Sequence, residues 1–588
     1  MREVGVQGEE TRLDKGKLAL RLWPGVVLAS ILVVARFLLP AAVPAMALVG
    51  FLTGLVCSLC ILIWWMFFSR VPHLERWGGL LFAAILFIGV RQIVHASVEN
   101  GMMGMMLGIY SLPTVAIGLV AWAAIMGSQP AALRRLALVG LLVLALGGWA
   151  LVRTEGMTGS AGSDLAWRWS PSYEEQLLAK TDAVRKADQR ASLELAAEIE
   201  WPGFRGPLRD GVLRGVRMET NWANKPPVEL WRRPVGPAWS SFAVHGPVFF
   251  TQEQRGEEEL VVCYNLQSGE PVWSHSDAVR FWESNAGAGP RGTPQLHQDK
   301  VVSFGATGIL NLLRASDGSR VWSRDVAADT AVAVPEWGFS ASPLILEQQV
   351  FIAAAGTLAA YDLATGDFQW SSKDGGNGYS SPHTFTLDGI SQVLLVSSDA
   401  ITSFQPGDGT VLWNHVLTGF SIVQPVQLSE TELLVCTGDR SGMTRLQVNQ
   451  TGGQWEVQSQ WESNKLKPYF NDLVIHKDHA YGFDANILAC IDLASGKRQW
   501  KGGRYGHGQL LLFADQDVLL VLSEKGELVL VSATPNAFTE IARIPAIEGK
   551  TWNHPVLVNN LLLVRNGQEM AAFQVAIQQT ARQDSGGL

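Results

Sequence analysis

Cysteine is scarce in this chain, five in 588 residues, with no two adjacent. Cys57 and Cys60 lie in an apolar run, and Cys263, Cys436 and Cys490 lie in separate predicted strands. An odd number of scattered thiols excludes a disulfide framework, and they read as small buried apolar side chains. Cys57-Ser-Leu-Cys60 is followed by Ile61 where covalent haem attachment needs a histidine, so that chemistry is excluded as well. Charge is thin: Asp, Glu, Lys and Arg together make up 17 %. The formal net charge of −8, with no dense Lys/Arg run, argues against nucleic acid as a partner. Tyrosine is sparse at 8 residues while tryptophan reaches 22, and the indoles fall at regular intervals.

The interval carries the fold. Tyr361–Trp370 (YDLATGDFQW) is written again as Tyr264–Trp273 (YNLQSGEPVW), Arg314–Trp322 (RASDGSRVW), Phe404–Trp413 (FQPGDGTVLW) and Ile491–Trp500 (IDLASGKRQW). In each, a Gly precedes a Trp by four residues. A strand ends at a polar pair, the Gly supplies a turn with positive φ, and a second strand brings the Trp back. A Trp at fixed register points to one place each time, and repetition makes that place the gap between neighbouring sheets. Trp273, Trp322, Trp370, Trp413, Trp461 and Trp500 are 39 to 49 residues apart, the period of four-stranded propeller blades. Gly526–Arg543 has the strands without the Gly or the Trp, and Met570–Ala576 is an inner strand with nothing after it. Val228–Pro234, carrying Trp231, is an outer strand with nothing before it, so it can complete the final blade. Residues 228–576 then hold eight blades of about 44 residues.

The repeat resembles the tryptophan-docking repeat of the quinoprotein propeller superfamily. That group includes the pyrroloquinoline quinone (PQQ) dehydrogenases and the outer-membrane-assembly propeller lipoprotein of Gram-negative bacteria. The likeness covers about Trp201–Ala576. Trp201–Val212 (WPGFRGPLRDGV), Pro335–Pro343 (PEWGFSASP) and Gly503–Gly508 (GRYGHG) further resemble bacterial membrane-anchored PQQ-like repeat proteins.

Five apolar runs precede the repeats: Leu22–Leu39, Met46–Phe68, Trp77–Val94, Met105–Met126 and Leu136–Val152. Each is near the length a membrane-spanning helix needs, and four further spans after the first argue against a cleaved signal. Arg12, Lys15, Lys17 and Arg21 precede the first span, and Arg70, Arg76, Arg134 and Arg135 lie in the second and fourth loops. The positive-inside rule puts residues 1–21 in the cytoplasm and the propeller in the periplasm, anchored in inner-membrane lipid. Arg36, Arg91 and His95 are ionisable groups near span ends, read as snorkelling to the headgroups. Residues 153–170 read as a Gly/Ser-rich linker, Pro171–Glu200 as an amphipathic helix, and Trp201–Arg209 as a strap leading into the ring. Residues 577–588 read as a disordered tail.

A polar residue followed by Pro recurs ahead of the inner strands, as in Gly292-Thr293-Pro294, Ala341-Ser342-Pro343, Ser380-Ser381-Pro382 and Asn553-His554-Pro555. Pro suits the start of a strand, where no ladder donor is needed. Residues just before these strands converge on the mouth of the central channel. Arg291, Trp337, Asn471, His507, Trp552 and Asn553 are therefore the candidate ligand-binding set, accompanied by Trp239, Tyr379 and Tyr469, and suited to a planar or polar ligand. The resemblance implies that an enzyme would hold PQQ there, stacked on an aromatic ring and bound through Arg and Asn, with Ca²⁺ and a catalytic Asp. The departures from that pattern are an absent Cys-Cys pair, short loops, and only Glu336 and Asp472 as nearby acids. The favoured reading is a non-enzymatic scaffold needing no cofactor and binding a periplasmic or membrane protein, or a small ligand. The alternative is a PQQ- and Ca²⁺-dependent glucose or alcohol dehydrogenase feeding membrane quinone, since the membrane-bound glucose-oxidising quinoprotein also has five N-terminal spans.

Overall fold

The computed structural model describes residues 20–43, 46–157, 163–180, 193, 195, 198–372, 377–417, 419, 422–438 and 442–579. They divide into two compact units, 1–170 with 284–286, and 171–283 with 287–588.

The first unit holds five helices long and apolar enough to cross a membrane: Trp23–Ala42, Ala47–Phe68, His73–Arg91, Met106–Met126 and Ala131–Leu151. Leu81, Ile88 and Leu144 are exposed on their outer faces, as side chains that meet acyl chains must be. Glu75 at the start of the third helix is buried against Arg134 of the fifth at 2.9 Å, so the two charges enter the bundle as a pair. Arg36 packs on aromatic rings of the neighbouring helices. Its guanidinium lies 5.0 Å from the Phe51 ring and 5.4 Å from Tyr110, on a π-helical turn, Val34–Leu38. Gly54 leaves the room for its stem. Residues 153–170, expected as a linker, hold a two-stranded sheet of Val152–Met157 and Ser163–Trp167.

The second unit is an eight-bladed propeller. Blades 1 to 6 are consecutive antiparallel four-stranded sheets whose inner strands are Ala243–His245, Gln295–His297, Leu344–Leu346, His383–Leu387, Val426–Gln427 and Val474–His476. Blade 7 runs from Gln509–Phe513 to Glu540–Pro545. Blade 8 consists of Val556–Val558, Leu561–Arg565 and Glu569–Gln574, with Val228–Pro234 antiparallel to the last of these as its outer strand.

The indoles join neighbouring blades. Nε1 of Trp231, Trp273, Trp322, Trp370, Trp461 and Trp500 donates to a carbonyl of the next blade: Leu266, Ala315, Leu363, Pro406, Leu493 and Thr534, at 2.7–3.2 Å. Five of these rings lie on the turn glycine of that blade. At Gly366, φ is +75° and an added Cβ would stand 2.6 Å from Trp322, so conformation and space both require glycine. Two seams depart from the rule for visible reasons. Trp413 donates instead to Gln392 Oε1 of its own blade at 2.8 Å, because blade 5 replaces the short turn with a long hairpin, Gly442–Thr451 and Gln454–Ser463. Trp455 and Val457 of that hairpin pack on the cluster containing Trp413. In blade 7, Ala542 occupies the Trp register, and buried Trp222 from the segment before blade 8 lines a cavity of 490 Å³ with it.

The helix expected over Pro171–Glu200 is described over Tyr173–Lys180; residues 181–192 lie outside the described residues. It lies on blades 8 and 1, where the Tyr173 hydroxyl donates to the Gln568 carbonyl and Glu174 pairs with Arg280 at 2.8 Å. Of the expected tail, Ile577–Gln579 pairs with Val216–Met218, and 580–588 lie outside the described residues.

Candidate functional site: the channel and its mouth

The polar residues ahead of the inner strands form a belt around the channel. The backbone N–H of Ser241 donates to Thr293 Oγ1 (3.0 Å), that of Thr293 to Ser342 Oγ (3.0 Å), and that of Ser342 to Ser381 Oγ (2.9 Å). Ser381 N–H donates to the Gln424 amide oxygen (3.0 Å), and Gln424 N–H to Asp472 Oδ1 (3.0 Å). Asp472 Oδ2 faces His554 Nε2 at 3.6 Å, and Ser241 Oγ closes the circle on the His554 carbonyl at 2.7 Å. Blades 2 to 6 thus each lend a polar side chain to the preceding blade's otherwise orphaned amide. Burial alone would raise the Asp472 carboxyl, but Arg205 and His554 outweigh it and hold it below the ordinary range. Burial lowers His554 in turn, against the pull of Asp472.

Blade 7 has Gly508 at the equivalent place, and there the belt is completed by the strap. Val212–Leu213 adds a parallel strand to the inner strand of blade 7, so that sheet has five strands. Upstream, Trp201 bridges Val244 of blade 1, and the Pro202 carbonyl accepts from Leu296 N of blade 2 at 2.7 Å. Arg209, on a positive-φ backbone, donates to the Pro343 carbonyl (2.8 Å), Ser342 carbonyl (3.3 Å) and Pro382 carbonyl (3.4 Å). Arg205 donates to the carbonyls of Leu473 (2.5 Å) and Asp210 (2.8 Å) and lies 3.6 Å from Asp472. Phe204 meets His554 edge-on at 5.2 Å. Segment 201–213 therefore fills the channel and is tied to blades 1, 2, 3, 4, 6, 7 and 8. Burial, reinforced by neighbouring Arg205, pushes the Arg209 guanidinium down to about 10, still charged at neutral pH.

The candidate mouth residues separate into two groups. Arg291 has a 7 % exposed side chain. It donates to the carbonyls of Trp337, Ala288, Gly289 and Gly287, pairs with Glu283 at 3.2 Å and lies over Phe281. Trp337 stacks on Tyr379 at 5.0 Å on the same side of the ring. Across the mouth, Trp552 lies 4.7 Å from Trp239 and 5.0 Å from Phe470, and His507 stacks on Phe470 at 5.1 Å beside Tyr469. Asn471 and Asn553 lie beneath this cluster and are buried. Asn471 Nδ2 donates to the Gly508 carbonyl, and Asn553 Nδ2 to those of Ser240 and Ala238, so both tie blade to blade. Sequence position alone did not single out Phe470, Glu524 or Lys550. Glu524 accepts from Trp552 Nε1 at 2.9 Å, and Lys550 Nζ lies 4.3 Å from the Trp552 ring and 5.2 Å from Trp239. A shared position ahead of an inner strand signals Phe470, whereas Glu524 and Lys550 come from other loops.

Residues 257–502 match the sequence model of the family described as "Outer membrane protein assembly factor BamB". No curated protein matches the chain. Among solved structures, the chain is similar to BamB from Moraxella catarrhalis, with 15 % identity over 59 % of this chain and 97 % of that one, and a TM-score of 0.43. It is also similar to a europium-containing methanol dehydrogenase, with 10 % identity over 67 % and 100 % of the two chains, and a TM-score of 0.48. A third likeness is to the quinohemoprotein alcohol dehydrogenase from Comamonas testosteroni, with 12 % identity over 68 % and 84 %, and a TM-score of 0.47.

Proposed function

We infer that this chain, a PQQ-like propeller preceded by membrane-spanning helices, is a non-enzymatic scaffold that binds a protein or small ligand at its channel mouth. The observation that carries this reading is the filled channel. Arg205, Arg209 and Arg291, the buried cations nearest the axis and mouth, all hold main-chain carbonyls of the ring. A carboxylate-bearing quinone needs such donors for itself, and Ca²⁺ needs several oxygens, carboxylates especially. The residues present do not fit that pair. Arg291 has its donors committed, and among the described residues no three His, Cys, Asp or Glu side chains gather around a common point. The half-buried side chains at the mouth are mainly aromatic, Trp239, Tyr469, Phe470 and Trp552, with Glu524 beside them.

The test is a titration of the purified full chain with PQQ and Ca²⁺, followed by dye reduction with glucose and alcohols. The expected result is no saturable binding and no turnover. Turnover that disappears in Arg291→Ala would overturn the scaffold reading in favour of a dehydrogenase. The basic residues of the second and fourth loops, Arg70, Arg76, Arg134 and Arg135, support a periplasmic propeller on the inner membrane. Alkaline phosphatase fused after residue 400 is then expected to be active in cells, and an inactive fusion with a fluorescent cytoplasmic counterpart contradicts that orientation.

A further inference from the structure

We propose that the wall of the mouth formed by blades 6, 7, 8 and 1 is a site for the ammonium group of a lysine side chain on a partner protein's extended segment, and that Lys550 closes it as an internal stand-in. The proposal rests on the scaffold reading and names the chemistry of its ligand.

The groups there share one electrostatic character. Trp239, Trp552, Phe470 and Tyr469 offer ring faces, which carry the negative lobe of the aromatic quadrupole. Glu524 is anchored behind Trp552, accepting from its Nε1 at 2.9 Å and from the His507 N–H at 3.3 Å, and it makes the indole a better seat for a cation. On blades 6, 7 and 8 the buried side-chain amides of Asn471, Gln509 and Asn553 each give their NH₂ to a carbonyl of the following blade. That leaves three buried amide oxygens with no donor, on three successive blades. A buried acceptor without a donor is uncommon in a native fold. The rings and the Glu524 carboxylate together attract a cation and repel an anion.

The structure already seats such a group. Lys550 Nζ lies over both indoles, at 4.3 Å and 5.2 Å from the ring centres, so the site accommodates a primary ammonium on a four-carbon stem. Lys550 belongs to the irregular connection between blades 7 and 8, after Gly549 at φ +92°, and not to a strand. It can withdraw without breaking a sheet ladder. An internal occupant scales the apparent affinity for an external one by the fraction of time the site stands empty, so a tenfold loss corresponds to a site empty about one tenth of the time.

Isothermal titration of the detergent-solubilised full chain with acetyl-capped Gly-Lys-Gly, and with the same peptide acetylated on Nε, tests this. Lys550→Ala is expected to bind the lysine peptide about tenfold more tightly than the native chain, and the acetylated peptide not at all. Adding Trp552→Leu to Lys550→Ala should abolish binding while an unchanged melting temperature shows that the ring is intact. If that variant unfolds, Trp239→Leu serves in its place. No gain in Lys550→Ala, equal binding of the acetylated peptide, or binding that survives loss of the indole would each overturn the proposal, as would phosphoethanolamine binding where the peptide does not. Any of these failures leaves the scaffold reading standing, because that reading falls only to Arg291-dependent turnover.

Discussion

Glu259 in the third strand of blade 1 shows what a single buried group does to this ring. It is 5 % exposed, with the Ala306 N–H at 3.3 Å. Burial pushes its carboxyl up to about 7, against that hydrogen bond and the charge of Arg291. The folded value exceeds the unfolded one of about 4.3, so between them the native state holds a proton that the unfolded chain has released. Stability therefore falls as pH rises through this window. Glu259→Gln, which cannot ionise, should match the native chain near pH 4 and gain on it by about 1–3 kcal/mol by pH 8. A difference in melting temperature that stays constant across that range would contradict the assignment. At this scale the sequence was half legible. Position ahead of the inner strands placed Arg291, Asn471 and Asn553 beside the channel. The carbonyls of the next blade that Asn471 and Asn553 hold lie beyond the reach of any local pattern, whereas Arg291 holds Gly287, Ala288 and Gly289 nearby as well as remote Trp337.

At the scale of the element, the hairpin and its tryptophan are one device. Trp322 lies on Gly366, where a methyl group would meet the ring at 2.6 Å. Gly366→Ala is expected to cost about 1–3 kcal/mol, from the positive φ and the clash together, and Trp322→Ala about 3–5 kcal/mol. With the ring gone the methyl has room, so the double variant should lose less than the sum, and strict additivity in chemical denaturation would refute the contact. The Gly-to-Trp period made these seams readable, because both partners belong to the repeat. The two exceptions were not readable. Trp413 faces a blade whose turn is a long hairpin, and the place of an indole at Ala542 is attended by Trp222, more than 300 residues earlier. The helix at Tyr173–Lys180 was legible as a helix, but its seat on the propeller depends on Gln568 and Arg280, far away in sequence.

For the whole molecule, the decisive feature is that the propeller closes around its own chain. WPGFRGPLRDGV stands out in the sequence by its turn residues and reads as a strap, yet nothing local says that it enters the channel. Its two-residue strand, Val212–Leu213, is too short to be recognised, and its partner strand, Gln509–Phe513, begins almost 300 residues later. Arg205 and Arg209 find their acceptors only once blades 3, 4 and 6 stand side by side around the strap. The filled channel, the committed arginines and the belt from Ser241 to His554 together describe a ring locked around its own strap, with an aromatic cluster at the mouth. Hydrogen exchange of the full chain, followed by mass spectrometry on peptides covering Trp201–Leu213, tests this most directly. The account predicts protection of these amides equal to that of the inner strands, with the Leu512 and Leu296 amides, which donate to strap carbonyls, equally slow. Exchange of that segment within seconds, while the blades stay protected, would contradict it.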